Sequence, residues 1–461
     1  MNSVFLCETR SATIAGGGES EKQIVNARDR IKSAIAQHVA GLLAEAESAY
    51  RGILADQPRH IDALHFLGVL RHQRGDTPEG LALILRALEV DAGSASRYND
   101  LGNILVQSGD AFNASEAFRI STALNGDDAN VWNNLGSLLR RRQELTGAES
   151  AFRRALQSDA TFVPALNNLA GLLAETGRDE ESSMLYCRAF ILPPLAGKLP
   201  KMLGIAYYRL GRIAEAAECF RAWLRAEPEN ESARHQLAAC SGENVPAKAP
   251  DRFVVDLFDR MAETFDEKLV GNLSYRGPEI IASLLDGFVP ADGTLDVLDG
   301  GCGTGLCAPV LASYASASHL TGVDLSPGML SKARECNCYG ELVEAELTAY
   351  LLDRTSAFDL IVMADTLIYF GDLATVFAAT GQALRIGGTF AFTVEASTGA
   401  GAPQENYRLN PSGRYSHSRR YLAQALDAAG FILLRCDDVV LRSEFCMPTQ
   451  GLGVLARAAH R

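Results

Sequence analysis

Three glycines at alternate positions, Gly301, Gly303 and Gly305, stand between a strand-prone run, "TLDVLD" at 294–299, and a helix-prone run that begins near Leu306. With no Cβ in the way, such a backbone lets a ligand come very close. Asp324 ends the next apolar run, "HLTGVDL", about twenty residues past the loop, where a carboxylate accepts hydrogen bonds from the two hydroxyls of a ribose. Loop and carboxylate together predict a site for a nucleoside; a plain surface turn accounts for neither spacing.

Two nucleosides compete, a dinucleotide and S-adenosylmethionine. From Gly301 the spacing is GxGxG, with Leu306 where a dinucleotide loop wants its third glycine, yet from Gly303 the run "GTGLCA" satisfies GxGxxA. The glycines alone leave both open. Asp299, directly ahead of the loop, and the order of the later segments weigh toward S-adenosylmethionine.

Such a loop must be held by a sheet. After the polar, Pro-bearing stretch "SGENVPAKAP" (241–250), strand patterns alternate with helical ones, which predicts a parallel sheet covered on both faces with function at the carboxyl ends of its strands. Ser326 and Pro327 supply an N-cap and first-turn proline for the helix "GMLSKAREC".

The runs "VLDGGCGTGLCAPVLA", "LTGVDLSPGMLSKAR", "FDLIVMADTLIYFGDL" and "ALRIGGTFAFTVEA", in that order, resemble the class I S-adenosylmethionine-dependent methyltransferases over residues 252–461. The resemblance implies an α/β Rossmann-like sheet of seven strands whose last, "GVLARAA", is antiparallel. It implies that Gly301, Gly303 and Gly305 pass the methionine part of S-adenosyl-L-methionine, with Asp299 beside them. Asp324 and Leu325 then meet the ribose, Glu346 and Leu347 the adenine, and Asp365 the methyl-sulfonium region. The segment "FDRMAETFDEKLVGNLSYRGPEII" resembles the family's N-terminal cap, with Tyr275 and Arg276 as cofactor contacts. Gly300 departs from the family, which usually has an aliphatic residue there.

The segment "YRLNPSGRYSHSRRYLAQALDAAGF" follows the fifth strand and opens on the same crevice, making Arg414, Tyr415 and His417 substrate candidates, with Tyr369. Each has a plainer reading: Tyr369 as packing, His417 as a cap for the helix that starts at Arg419 and Arg420. An activated methyl group needs an in-line nucleophile near 3 Å and exclusion of water more than acid–base machinery. If a base is used, His417, Asp365 or Glu395 could serve, with His417 and Asp365 the catalytic candidates. "MADTLIYF" lacks the Asn-Pro-Pro-Tyr loop of enzymes that methylate planar amino groups.

The first half is a repeat. Tyr50, Ile84, Phe118, Phe152, Tyr186 and Phe220 recur every 34 residues, and so do Leu67, Leu101, Leu135, Leu169, Leu203 and Leu237, each followed by Gly or Ala. A small residue on one helix lets a second approach, and the large one fills the groove; Pro58, Pro194 and Pro228 stop the second helix. This resembles the tetratricopeptide (TPR) repeat, a 34-residue helix-turn-helix. About five full repeats run from 27 to 228, the first degenerate at Ala34, with a closing helix at 231–240. The organisation expected is a flexible N-terminus (1–26), an α-solenoid (27–240) whose concave face takes a protein or peptide partner, a linker (241–251) and a methyltransferase domain (252–461).

Length and composition agree with this division. The 461 residues exceed one core, and 56 acidic against 43 basic residues oppose nucleic acid as partner. The ten cysteines fit neither a zinc knuckle nor a CxxC pair, so no metal is expected, and no apolar run reaches membrane length, so the protein is expected in the cytoplasm. The function expected is methyl transfer to an unidentified small molecule or protein. The alternatives are a non-catalytic cofactor-binding scaffold and an NAD(P)-dependent oxidoreductase.

Overall fold

The computed structural model describes residues 18–266, 274–397, 406–444 and 447–459. The expected flexible N-terminus lies outside them up to residue 17. By compactness the chain divides into two units, Met1–Leu192 and Pro193–Arg461.

The first unit is a run of helical hairpins: α1 (Gly18–Val39) with α2 (Leu43–Asp56), α3 (Ile61–Gln73) with α4 (Thr77–Val90), α5 (Ala95–Gln107) with α6 (Ala111–Leu124), α7 (Ala129–Arg141) with α8 (Leu145–Ser158), and α9 (Val163–Glu175) with α10 (Asp179–Phe190). The small-and-large pairing is steric. A Cβ on Gly102 or Gly136 would lie 2.6 Å from the ring of Phe118 or Phe152. Tyr186 is the exception among the large residues, 46% exposed.

Successive hairpins are also tied by polar pairs 35 residues apart, one more than the period. His65 meets Asp100 at 2.9 Å, Asn134 donates to Asn99 at 3.2 Å and Asn168 to Asn133 at 2.8 Å. All lie on first helices, so these helices stack side by side along the unit.

The second unit opens with a sixth hairpin, α11 (Pro200–Arg209) and α12 (Ile213–Ala226), and the single helix α13 (Glu231–Ser241). The repeat ladder places these helices in the solenoid, but they share a compact unit with the sheet. Ala238 and Ala239 of α13 pack in the same apolar cluster as the sheet residues Leu298 and Val323. Residues 241–251, expected as a linker, are bonded in place: Ala249 donates its N–H to Tyr369 O at 2.8 Å, and Gly371 to Ala247 O at 2.8 Å.

Five parallel strands follow in the order β3 (Glu341–Glu344), β2 (Leu320–Asp324), β1 (Val297–Gly300), β4 (Phe358–Met363) and β5 (Leu384–Ala396). β9 (Met447–Ala458), which contains "GVLARA", pairs antiparallel with β5, and β8 (Phe431–Glu444) pairs antiparallel with β9. These seven strands are the expected sheet. An added hairpin, β6 (Tyr407–Leu409) and β7 (Tyr415–His417), pairs with the carboxyl end of β5.

Along β4 the side chains alternate between two apolar layers. Ile361 and Met363 face one, Leu360 and Val362 the other, as a sheet buried on both faces requires. The layers are completed by α15 (Gly277–Leu285) and α16 (Ala308–Leu311) on one side, and by α18 (Leu347–Leu352), α19 (Ala374–Ala383) and α20 (Arg419–Ala428) on the other. No helix among the described residues is long and apolar enough to cross a membrane.

Candidate active site

The glycine loop leaves β1 at Gly300. Gly301, Gly303 and Gly305 have φ of +77°, +56° and +92°, the left-handed region that side chains avoid. The N–H groups of Gly301 and Cys302 both donate to Val323 O, at 2.7 and 3.0 Å, which ties the loop to β2. A Cβ at Gly303 would meet nothing within 4 Å, so the loop turns a bare edge to open space there. At Gly300 a Cβ would approach Leu347 to 3.0 Å, so Leu347 fills the room the missing side chain leaves. The helix that follows is short, Ala308–Leu311, starting two residues later than the expected Leu306.

Asp324 ends β2 with both oxygens engaged: Oδ2 accepts from Gly303 N and Oδ1 from Ser326 N, each at 2.9 Å. Burial pushes its carboxyl up against these bonds. Asp299 is 1% exposed, and burial raises it to about 7 although Tyr339 donates a 2.6 Å hydrogen bond to it. Ser326 caps α17 (Pro327–Glu335) as its sequence predicts, accepting from Met329 N at 3.1 Å. Leu325 packs at the margin of the sheet core.

Glu346 caps α18 through Ala349 N at 2.7 Å and takes Lys248 Nζ at 2.7 Å on its other oxygen. Tyr275 folds back over Gly277 and lies within electrostatic reach of Asp365, Arg442 and Asp299, hence beside the loop. Arg276 is exposed, and its contribution is a backbone N–H to Leu441 O. Of the expected cap, 267–273 lie outside the described residues. Its flanks are anchored over the loop: Thr304 donates to Asp266 at 2.6 Å, and Ser326 Oγ to Asp259 of α14 (Asp251–Asp259) at 2.5 Å.

At the carboxyl ends of β4 and β5 lies a buried network of two guanidinium and three carboxylate groups. Asp365, with φ +55°, takes Arg442 Nη1 at 2.6 Å. Arg442 also bonds Glu395, and Glu444 at 2.7 Å. Arg414 donates Nε to Glu395 at 2.8 Å and grips both oxygens of Glu444. Burial pushes the Asp365 carboxyl up, with Arg442 opposing; at Glu444 the two arginines overcome burial and hold the carboxyl down. The network adjoins the loop, since Thr366 Oγ1 donates to Gly300 O at 2.8 Å.

The other substrate-side candidates sit in the interior. His417 is fully buried, Nε2 facing Gly371 O at 3.2 Å and its ring stacked on Tyr421; burial lowers it to about 4. The cap of α20 is Ser418, accepting from Tyr421 N at 3.2 Å, in place of His417. Tyr415 is equally buried and donates to Pro246 O at 2.7 Å. Tyr369 packs edge-on against Phe258. Neither His417 nor Tyr415 offers a free surface to an acceptor, so of the three candidates in that segment Arg414 is the one that joins the charged network. Its partner Glu444 and the second guanidinium of the network, Arg442, stand two apart on β8, on one face of the strand; their alternation in "VLRSEF" is the signal that could have found them.

Beside Glu395 a polar cleft of about 250 Å³ opens among Ser397, Arg408, Asn410, Thr449 and Gln450.

The comparisons give the class: TPR repeats followed by a Rossmann-like domain that a methyltransferase family model matches in part. A methyltransferase-domain family model matches residues 297–388, and a tetratricopeptide-repeat model matches 33–96, 99–161 and 201–240. The chain is 26% identical over 136 residues to malonyl-[acyl-carrier protein] O-methyltransferase of Acetivibrio thermocellus, a match covering 30% of this chain and 47% of that enzyme. The chain thus spans about half the length of the curated relative it matches. Among solved structures it is similar to an S-adenosylmethionine-dependent methyltransferase from Mesorhizobium loti (25% identity, 40% of this chain and 97% of that one, TM-score 0.33). It is also similar to MamA (20% identity, 34% and 91%, TM-score 0.32).

Proposed function

We propose that the chain binds S-adenosyl-L-methionine between Gly303 and Asp324 and transfers its methyl group to an acceptor entering beside Glu395. The observation that carries this reading is the loop's register. All three glycines of the GxGxG spacing have positive φ, and the helix behind them spans four residues. A dinucleotide loop relies instead on a substantial helix whose N-terminus receives the pyrophosphate.

The residues present fit the cofactor. Asp324 keeps lone pairs for ribose hydroxyls after accepting its two backbone bonds. Gly303 leaves the approach bare, and Tyr275 lies within electrostatic reach of both Asp299 and Asp365. The bound sulfonium supplies an already activated methyl group. What the protein adds is placement and exclusion of water. An oxygen or nitrogen acceptor sheds one proton in the transfer, and Asp365 or Glu395 is placed to take it.

The acceptor is proposed to be an oxygen or nitrogen nucleophile on a small molecule or a protein; both guanidinium groups of the network are engaged, while Arg408 lines the cleft beside it. The TPR hairpins are proposed to bind a protein or peptide that brings or carries this group.

The test is calorimetric titration of the full chain with S-adenosylmethionine, S-adenosylhomocysteine and NADH, beside Asp324→Ala. Micromolar binding of the first two, lost in the variant, is expected. Binding of NADH instead, or of none, sinks the reading.

A further inference from the structure

The turn between β6 and β7 carries two residues of the proposed acceptor side. Asn410 lines the polar cleft, and Arg414 grips Glu395 and Glu444. The turn closes on itself, with Asn410 N–H donating to Arg414 O and Gly413 N–H to Asn410 O, both at 2.8 Å. Neither bond fixes the turn relative to the sheet.

Besides Arg414's grip on Glu395 and Glu444, the turn is held from outside by α13, the helix that closes the repeat ladder. His235 of α13 meets Gly413 O through Nε2 at 2.8 Å across 178 residues of sequence. Because a carbonyl only accepts, Nε2 carries the proton, and Nδ1 is left buried with no partner. The ring is 1% exposed and packed 4.6 Å from Phe253 and 6.2 Å from Tyr415. The fit around Gly413 is close. Its φ is +82°, and a Cβ there would come within 3.0 Å of Phe253 and 3.2 Å of Gln236. A second repeat helix reaches the same place: Tyr208 of α11 lies within electrostatic reach of Arg414, Glu444 and Glu395.

We infer that the last helices of the repeat ladder are built into the acceptor side of the methyltransferase site, with His235 as the positioning residue that holds the 410–414 turn. The inference rests on the proposed function for the word "acceptor"; the docking of the turn is independent of it. The terminal repeat is on this account a wall of the site, and a methyltransferase domain cut at residue 252 would lack it.

The experiment uses the full chain and two variants. His235→Phe keeps a ring and removes the donor, whereas His235→Gln places an amide N–H near the position of Nε2. Amide hydrogen exchange is followed in peptides covering 406–417 and 296–325, with S-adenosylmethionine affinity measured in parallel. His235→Phe is expected to speed exchange in 406–417 about tenfold or more and leave 296–325 unchanged. His235→Gln is expected to return 406–417 to within about threefold of the parent, and both variants to keep cofactor affinity within about twofold. The proposal is overturned by unchanged exchange in 406–417, by an equal rise in both regions, by failure of Gln to rescue, or by a selective loss of cofactor affinity. Absence of cofactor binding in the parent would overturn the methyltransferase reading and with it the acceptor role, leaving the exchange result to decide the docking alone.

Discussion

Arg442 on β8 donates from Nη1 to Asp365 Oδ2 at 2.6 Å, joining residues 77 apart at the carboxyl end of β4. The same guanidinium bonds Glu395 and Glu444, so one cation is shared by three buried carboxylates. Arg442→Met removes it and leaves two negative charges in excess where there was one. Unpairing a buried charge costs about 3–5 kcal/mol, roughly a 10 °C fall in the midpoint of a domain this size. Circular dichroism melts of parent and variant check this; a midpoint within about 2 °C of the parent would show that the network does not hold the sheet ends together.

Gly136 presses on the ring of Phe152, where an added Cβ would lie 2.6 Å away, and both are buried between the two helices of one hairpin. Gly136→Ala should improve helix propensity yet destabilise, because the ring is fully buried and has nowhere to retreat. Overpacking of this kind costs about 1–3 kcal/mol. Adding Phe152→Leu should recover most of the loss. Denaturant unfolding of the single and double variants measures it, and an Ala variant as stable as the parent would remove the steric account of the 34-residue ladder.

Asp299 is buried and raised to about 7, so near neutrality much of it is protonated in the free protein. A ligand bringing a sulfonium and an ammonium beside it should draw the carboxyl down and release up to about one proton on binding. The release should be largest below about pH 7, midway between the free value and the lowered one, and fade above about 8, where Asp299 is already ionised. Titration with S-adenosylmethionine in buffers of different ionisation enthalpy counts the protons. Equal counts in the parent and in Asp299→Asn would assign the release to another group.

The repeat and the loop were legible because each depends on local sequence. A 34-residue ladder needs one small and one large residue per unit, and the glycine spacing with Ser326-Pro327 fixes a strand, a turn and a capped helix within thirty residues. The acceptor side was legible only in part. Arg414 was found from its place after β5, but its partners are Glu444 on β8, thirty residues away, and Glu395 at the end of β5, and the Arg442 that ties them to Asp365 also comes from β8. His417 and Tyr415 point into the core because β7 lies flanked by β5 and β6, a pairing no local pattern displays. The docking of α13 on the 410–414 turn likewise depends on a contact across 178 residues, which a repeat ladder that runs on to residue 240 does not display.

His417 gives a pH signature that follows from burial alone. Its ordinary value is 6.5, and burial lowers it to about 4, so the folded chain keeps the ring neutral where the unfolded chain protonates it. Above pH 6.5 both states are neutral and the residue adds no pH dependence. Between 6.5 and about 4 the unfolded state binds the extra proton, so stability is lost as pH falls through this window, by up to about 3 kcal/mol. Asp299 works in the opposite direction over much of the same range, since protonation relieves its burial, so the parent's curve alone is uninformative. The difference between parent and His417→Phe isolates the imidazole: the variant keeps an aromatic ring against Tyr421 but cannot titrate. Denaturant midpoints at pH 7.5 and 4.5 should show the parent losing more stability than the variant, by about 2–3 kcal/mol. Parallel losses would mean that the imidazole is protonated within the fold, and that Gly371 and its neighbours accommodate the charge.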